Sequence, residues 1–236
     1  MINLLYRIRF WFYKLFNLFR QKIKRIGGDI IFVDNFLLNL DQWRIGEDWG
    51  VIHPEYSYQY SSWSSINLDI GQLELSVDFN PKIVTHGGVP FSSTYSFGKL
   101  SSMEKFNKGI FEIRCKLSNN GWDAVWLSGG GYEIDIVEIF KNRRLSSSVH
   151  WDTKTNRKRK TKQYRIPGGW HVYTLIWDNE LTFKFDGLTI RKEKININAD
   201  MSLKINTGIE QDTNPEWVFN NNQPFLIDYI RVYATD

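Results

Sequence analysis

Cysteine is nearly absent: Cys115 is the only one in 236 residues, which excludes an intrachain disulfide and any cysteine-rich metal site. Acidic residues are missing from two stretches. Residues 1–27 carry Arg7, Arg9, Lys14, Arg20, Lys22, Lys24 and Arg25 with no acid, and "TKTNRKRKTKQYR" (153–165) carries seven basic residues with no acid. Outside them, 16 basic residues face 26 acidic ones, so the net charge of +4 describes an acidic body with two basic appendages. A nucleic-acid-binding domain would be basic over a face of its fold, and that reading is set aside. No repeat of 20 to 50 residues occurs, which argues against a propeller or solenoid. No helical period continues beyond residue 28.

The first segment, "MINLLYRIRFWFYKLFNLFRQKIKRI", is the exception. Leu5, Ile8, Phe12, Leu15, Phe19, Ile23 and Ile26 recur at helical spacing, and basic residues flank that stripe. Charges at 7, 9, 14 and 20 interrupt any membrane span. A clean apolar core and a small-residue cleavage site, the marks of a cleavable secretory signal, are both missing. An amphipathic helix of this kind suits contact of residues 1–26 with an anionic membrane surface. The alternative is a helix packed on the domain or on a partner chain. Gly27-Gly28 marks the boundary, so residues 1–28 form one segment and 29–236 a second, larger domain.

Aromatic residues are abundant at 16%, ten of them Trp, which fits either a rigid core or a surface that stacks on sugar rings or bases. After residue 28 the pattern is short alternating runs between turns. In "FEIRCKL", Phe111, Ile113, Cys115 and Leu117 share one face, with Glu112, Arg114 and Lys116 on the other. "LTFKFDGLTI" reads as a hairpin turning at Asp186-Gly187. The expected fold is an all-β sandwich of about 210 residues.

One strand carries too much charge. "GYEIDIVEIF" holds Glu133, Asp135 and Glu138 among isoleucines and a valine. Glu133 and Asp135 share a face by strand alternation, but continued alternation would drive Glu138 into the core, where a charge is costly. A β-bulge at Ile136-Val137 resolves the conflict by inserting one extra residue and returning Glu138 to the acidic face. Three aligned carboxylates repel one another, so stability does not account for them. Retaining glycoside hydrolysis does use such a pair, with carboxyls about 5 to 5.5 Å apart. Four strand steps separate the Cα atoms of the two Glu by about 13 Å, a gap that long side chains leaning together reduce. An exposed polar face, or a cation site, is the alternative. A straight strand wraps poorly around calcium.

"EIDIVE" resembles the Glu-x-Asp-x-x-Glu signature of glycoside hydrolase family 16, in the bulged form of laminarinases, agarases and carrageenases. "SFGKLSSMEKFNKGIFEIRCKL", "GWDAVWLSGG", "VHWDTK", "WHVYTLIWDNELTFKFDG", "DYIRVY" and "DNFLLNLDQW" resemble other family stretches, in order, over about residues 30–236. The resemblance implies a β-jelly-roll sandwich of two antiparallel sheets with a concave glycan-binding cleft. It implies a retaining endo-hydrolase of β-linked polysaccharide, of β-glucan or galactan type, that needs no cofactor. Glu133 would be the nucleophile, Glu138 the general acid/base and Asp135 their helper. Trp122 and Trp126 match cleft aromatics, His150 and Trp151 match residues near the catalytic centre, and Asn206 matches an Asn near the cleft; core packing is the alternative for each. Family members also bind structural calcium through the first and last strands, for which Asp228 is the one candidate. The family also suggests an extracellular or cell-surface location.

The departures bear on substrate. Asp123 stands where the family commonly has Pro, the glycine-rich element shrinks to "NTGIEQ", and the loop before the acidic strand is only "SGGGY". The basic run 153–165 follows the His150 strand. At the cleft rim it would favour an anionic glycan, such as a sulfated galactan or uronic-acid polymer; as a solvated hairpin loop it would do nothing of the kind. A catalytically inactive glycan-binding protein and a transglycosylase are the competing functions.

Overall fold

A computed structural model describes residues 28–45, 59–69, 71–86, 88–118, 121–140, 144–153, 156–209, 220 and 223–235. The amphipathic segment, expected over residues 1–26, lies outside them. In chain order the strands are β1 (Ile30–Asp34), β2 (Trp43–Ile45), β3 (Gln59–Ser61), β4 (Ile66–Leu68), β5 (Leu73–Leu75) and β6 (Val77–His86). Then follow β7 (Val89–Phe97), β8 (Lys99–Phe106), β9 (Gly109–Lys116), β10 (Ala124–Gly129), β11 (Tyr132–Phe140) and β12 (Arg144–Asp152). The last are β13 (Arg157–Arg165), β14 (Trp170–Trp177), β15 (Leu181–Phe185), β16 (Leu188–Glu193), β17 (Met201–Asn206) and β18 (Phe225–Tyr233).

They form two large antiparallel sheets. One has the order β16-β15-β14-β9-β18-β5-β4 with β1 also paired to β18, and the other β13-β12-β11-β10-β17-β8-β2. A small third sheet, β3-β7-β6, contains the one parallel pairing among the described strands. Alternation explains how the two large sheets meet. Phe111, Ile113 and Cys115 of β9 are fully buried, as are Leu127 of β10, Ile134 of β11, Val149 of β12 and Leu203 of β17, all in one cluster drawn from both sheets. An aromatic series crosses this core: Phe32 and Phe111 meet Phe106 edge-on, and Phe111 stacks on Trp177 at 6.5 Å. The outer face of β9 is charged, but Glu112 is buried too, since Arg231 and Tyr229 of β18 crowd it.

Turn chemistry sets the registers. Asp186 and Gly187 both have positive φ (46° and 81°) and join β15 to β16 as the expected tight hairpin. Gly130 and Gly131, at 56° and 79°, do the same between β10 and β11 and pair Ser128 with Glu133. Residues 157–165 of the basic run are a strand, not a loop: β13 pairs with β12 along its length and forms the edge of the seven-stranded sheet.

Candidate active site

The bulge lies where the spacing predicts it. Asp135 pairs with Ser148 and Glu138 with Ser146, so Ile136 and Val137 together oppose Ser147 alone. Both bulged residues are buried in the core cluster, and Ile139 beyond them is buried as well. Glu133, Asp135 and Glu138 therefore share the outer face of the sheet. The register carries that face across the neighbouring strands. It includes Ala124, Trp126 and Ser128 on β10, and Lys204 and Asn206 on β17. On the other side it includes Ser146, Ser148 and His150 on β12, and Arg159, Thr161 and Gln163 on β13.

Each acid has its own surroundings. His150 Nε2 lies 3.0 Å from Asp135 Oδ2 and 3.5 Å from Glu133 Oε1, bridging the two. The Asp135 side chain is 6% exposed and that of Glu133 25%. Glu138 accepts a hydrogen bond from Trp122 Nε1 at 3.0 Å. Burial raises the Glu138 carboxyl from 4.5 to about 8; the Asp135 and Glu133 charges push the same way, while Trp122 and Arg159 oppose them. Glu133, Asp135 and His150 each offer a ligand atom within 4.8 Å of one another. A flat strand face supplies such atoms from one side only, whereas calcium is held by wrapping oxygens.

The remaining expected residues divide. Trp122 is half-buried and touches Glu138, and Asn206 Oδ1 accepts from Trp126 Nε1 at 2.8 Å. Trp126 is on the acidic face but only 5% exposed, with Lys204 Nζ 4.8 Å from its ring centroid, so it is a covered ring rather than an open stacking platform. Trp151 is a correction. It packs against the core cluster from the face opposite His150, because adjacent residues of a regular strand cannot share a face. Asp228 is ion-paired with Arg114 and belongs to no cation-ligating group among the described residues. Arg159 was not singled out by sequence; the register opposite His150 brings it to the site, and only its place in the basic run after the His150 strand hinted at this.

An all-β sandwich with three carboxylates raised on a bulged strand is the architecture of a carbohydrate-cleaving hydrolase. The profile described as "Glycosyl hydrolases family 16" matches residues 53–210, more than half of the chain, and the chain belongs to that family. It is an endo-acting glycosidase of β-linked polysaccharide, and retention of anomeric configuration is a property of the family. Solved structures share the jelly-roll fold. The LamAcat structure from Zobellia galactanivorans has a TM-score of 0.71 at 20% identity, covering 87% of this chain and 98% of its own. The laminarinase catalytic domain from Thermotoga maritima MSB8 scores 0.72 at 18% identity, covering 89% and 99%. Porphyranase B from Zobellia galactanivorans scores 0.73 at 17% identity, covering 88% and 93%. No curated protein sequence matches this chain.

Proposed function

We propose that Glu133 is the nucleophile and Glu138 the general acid/base of this hydrolase, and that the polysaccharide it cleaves carries anionic groups. The contrast between the two glutamates carries the first part. Glu138, held protonated up to about pH 8, has a proton to give at neutral pH. It donates that proton to the glycosidic oxygen while the Glu133 carboxylate attacks the anomeric carbon and the carbon–oxygen bond to the leaving sugar breaks. Glu138, now an anion stabilised by the Trp122 N–H, then takes a proton from water. The water oxygen displaces Glu133 from the anomeric carbon, and Glu138 is again protonated. His150, between Glu133 and Asp135, orients both carboxylates through the first step.

The anionic substrate rests on cations flanking the acids. Arg159 lies on β13 and Lys204 on β17, each two strands from β11 and so about 10 Å to either side. Fixed charges at that distance attract sulfate or carboxylate groups on the sugars bound beside the scissile linkage.

Reducing-end release is to be measured on sulfated or uronic-acid polymers and their desulfated or neutral counterparts. Wild type is expected to favour the anionic member of each pair. Glu133→Gln should lose activity by at least about a thousandfold, and Arg159→Gln should raise KM several-fold on the anionic polymer only. Equal activity in Glu133→Gln would remove Glu133 as nucleophile. Higher wild-type activity on the neutral polymers would remove the anionic reading and leave the catalytic one intact.

A further inference from the structure

Asp123 is a fully buried carboxylate that takes no part in the reaction above. Its Oδ1 accepts from Thr207 Oγ1 at 2.7 Å and its Oδ2 from the Ser118 backbone N–H at 2.6 Å. Ser118 Oγ in turn accepts from Gly121 N at 2.9 Å. Gly121 packs so closely that a Cβ there would lie 2.6 Å from Ser118 Oγ and 3.1 Å from Asp123 Oδ1. Trp122 N donates to Gly208 O at 2.8 Å, and Asp123 O accepts from Ile139 N at 2.9 Å, one residue past Glu138. Ser118, Gly121, Thr207, Gly208 and Ile139 are thus tied together around Asp123. The Trp122 indole projects from this assembly and meets Glu138.

We propose that Asp123 is a positioning residue whose buried carboxylate clamps the turn carrying Trp122 and so holds the indole N–H against Glu138. The geometry favours this over a general packing role. A buried carboxylate is costly unless hydrogen-bonded, and a smaller neutral side chain would fill a turn without that cost. Here the two oxygens join segments far apart in sequence, Ser118 and Thr207, on either side of Trp122. The other ionisable groups facing Asp123 are the Cys115 thiol from β9 and the Tyr173 hydroxyl from β14. The Trp122 indole is the side chain by which this assembly meets Glu138, whereas the Asp123 carbonyl, which accepts from Ile139 N, is untouched by a change of side chain. The clamp stands on geometry alone; its catalytic consequence rests on the proposed role of Glu138.

The test follows the Glu138 side-chain carboxyl by NMR titration of protein carrying ¹³C-labelled glutamate. Its midpoint should move upward by about one pH unit in Trp122→Phe and in Asp123→Ala, because both remove a donor to the anion. Asp123→Ala in the Trp122→Phe background should add nothing further. Asp123→Asn can accept from Ser118 N through its amide oxygen and donate to Thr207, so it should keep the wild-type midpoint. Thr207→Val, a milder change should Asp123→Ala not fold, should move the midpoint the same way by less.

A wild-type midpoint in Asp123→Ala or Thr207→Val, or a shift in the Asp123 variant that persists without the Trp122 indole, would overturn the proposal. So would equal shifts in the Ala and Asn variants whichever their sign, a common downward shift being the mark of a lost negative charge and not of lost hydrogen bonds. The alkaline limb of kcat should move with the midpoint. If the midpoint moves and the limb does not, the assignment of Glu138 fails while the clamp stands.

Discussion

Glu138 shows how one side chain's surroundings decide its chemistry. Its raised carboxyl means that the folded protein holds a proton that the unfolded chain releases near 4.5. The stabilisation from that proton is complete below about 4.5 and is lost as the pH rises through about 8. Glu138→Gln is neutral at every pH, so its melting temperature relative to wild type should climb between about pH 5 and pH 9. At roughly 2 to 4 °C per kcal/mol for a domain of this size, the climb is a few degrees or more. An unchanged difference between the two pH values, measured by thermal melts in matched buffers, would contradict the assigned environment. Glu138's place on the sheet was legible from the sequence, because a charge cannot alternate into a core. Its Trp122 partner was not: sixteen residues separate them, and nothing local reports on a contact between a turn and a strand.

The element that matters most is β11 with its bulge. Removing Val137 would leave Glu133-Ile134-Asp135-Ile136-Glu138, which alternates without a bulge and keeps Glu138 on the acidic face and Ile139 in the core. The deletion should therefore still unfold cooperatively in urea, destabilised by no more than the lost burial of one valine, about 1.5 to 3 kcal/mol. A far larger loss of stability would mean that Ile136 and Val137 are not the one-residue insertion that the register indicates. β13 is the contrasting element. Its sequence, rich in Lys and Arg and poor in apolar residues, reads as a loop, yet it pairs with β12 along its length. Two tertiary contacts support it: Lys160 is ion-paired with Glu193, and Tyr164 Oη donates to Ile190 O at 2.7 Å. Those partners lie on β16 of the other large sheet, out of reach of any local pattern.

For the whole molecule, stability resides in the apolar layer between the two sheets. Phe111 sits at its centre, fully buried, 5.3 Å from Phe106 and 6.5 Å from Trp177. Phe111→Ala should cost about 3 to 5 kcal/mol, read from urea unfolding as a lower midpoint with an unchanged slope. A cost below about 1 kcal/mol would mean that the sheets close over the gap or that the core divides elsewhere. By itself the sequence determined the period-two strands, the glycine and Asp-Gly turns, the bulge and the common face of three carboxylates. Each of these follows from the backbone and from the cost of burying charge over a few residues. Only the tertiary structure decided that Trp151 turns to the core, that Lys204 covers Trp126, and that Arg159 reaches the acids. It also decided that Asp123 joins Ser118 to Thr207. Those outcomes depend on which strands become neighbours and in what register, and that is set by the packing of the entire sandwich.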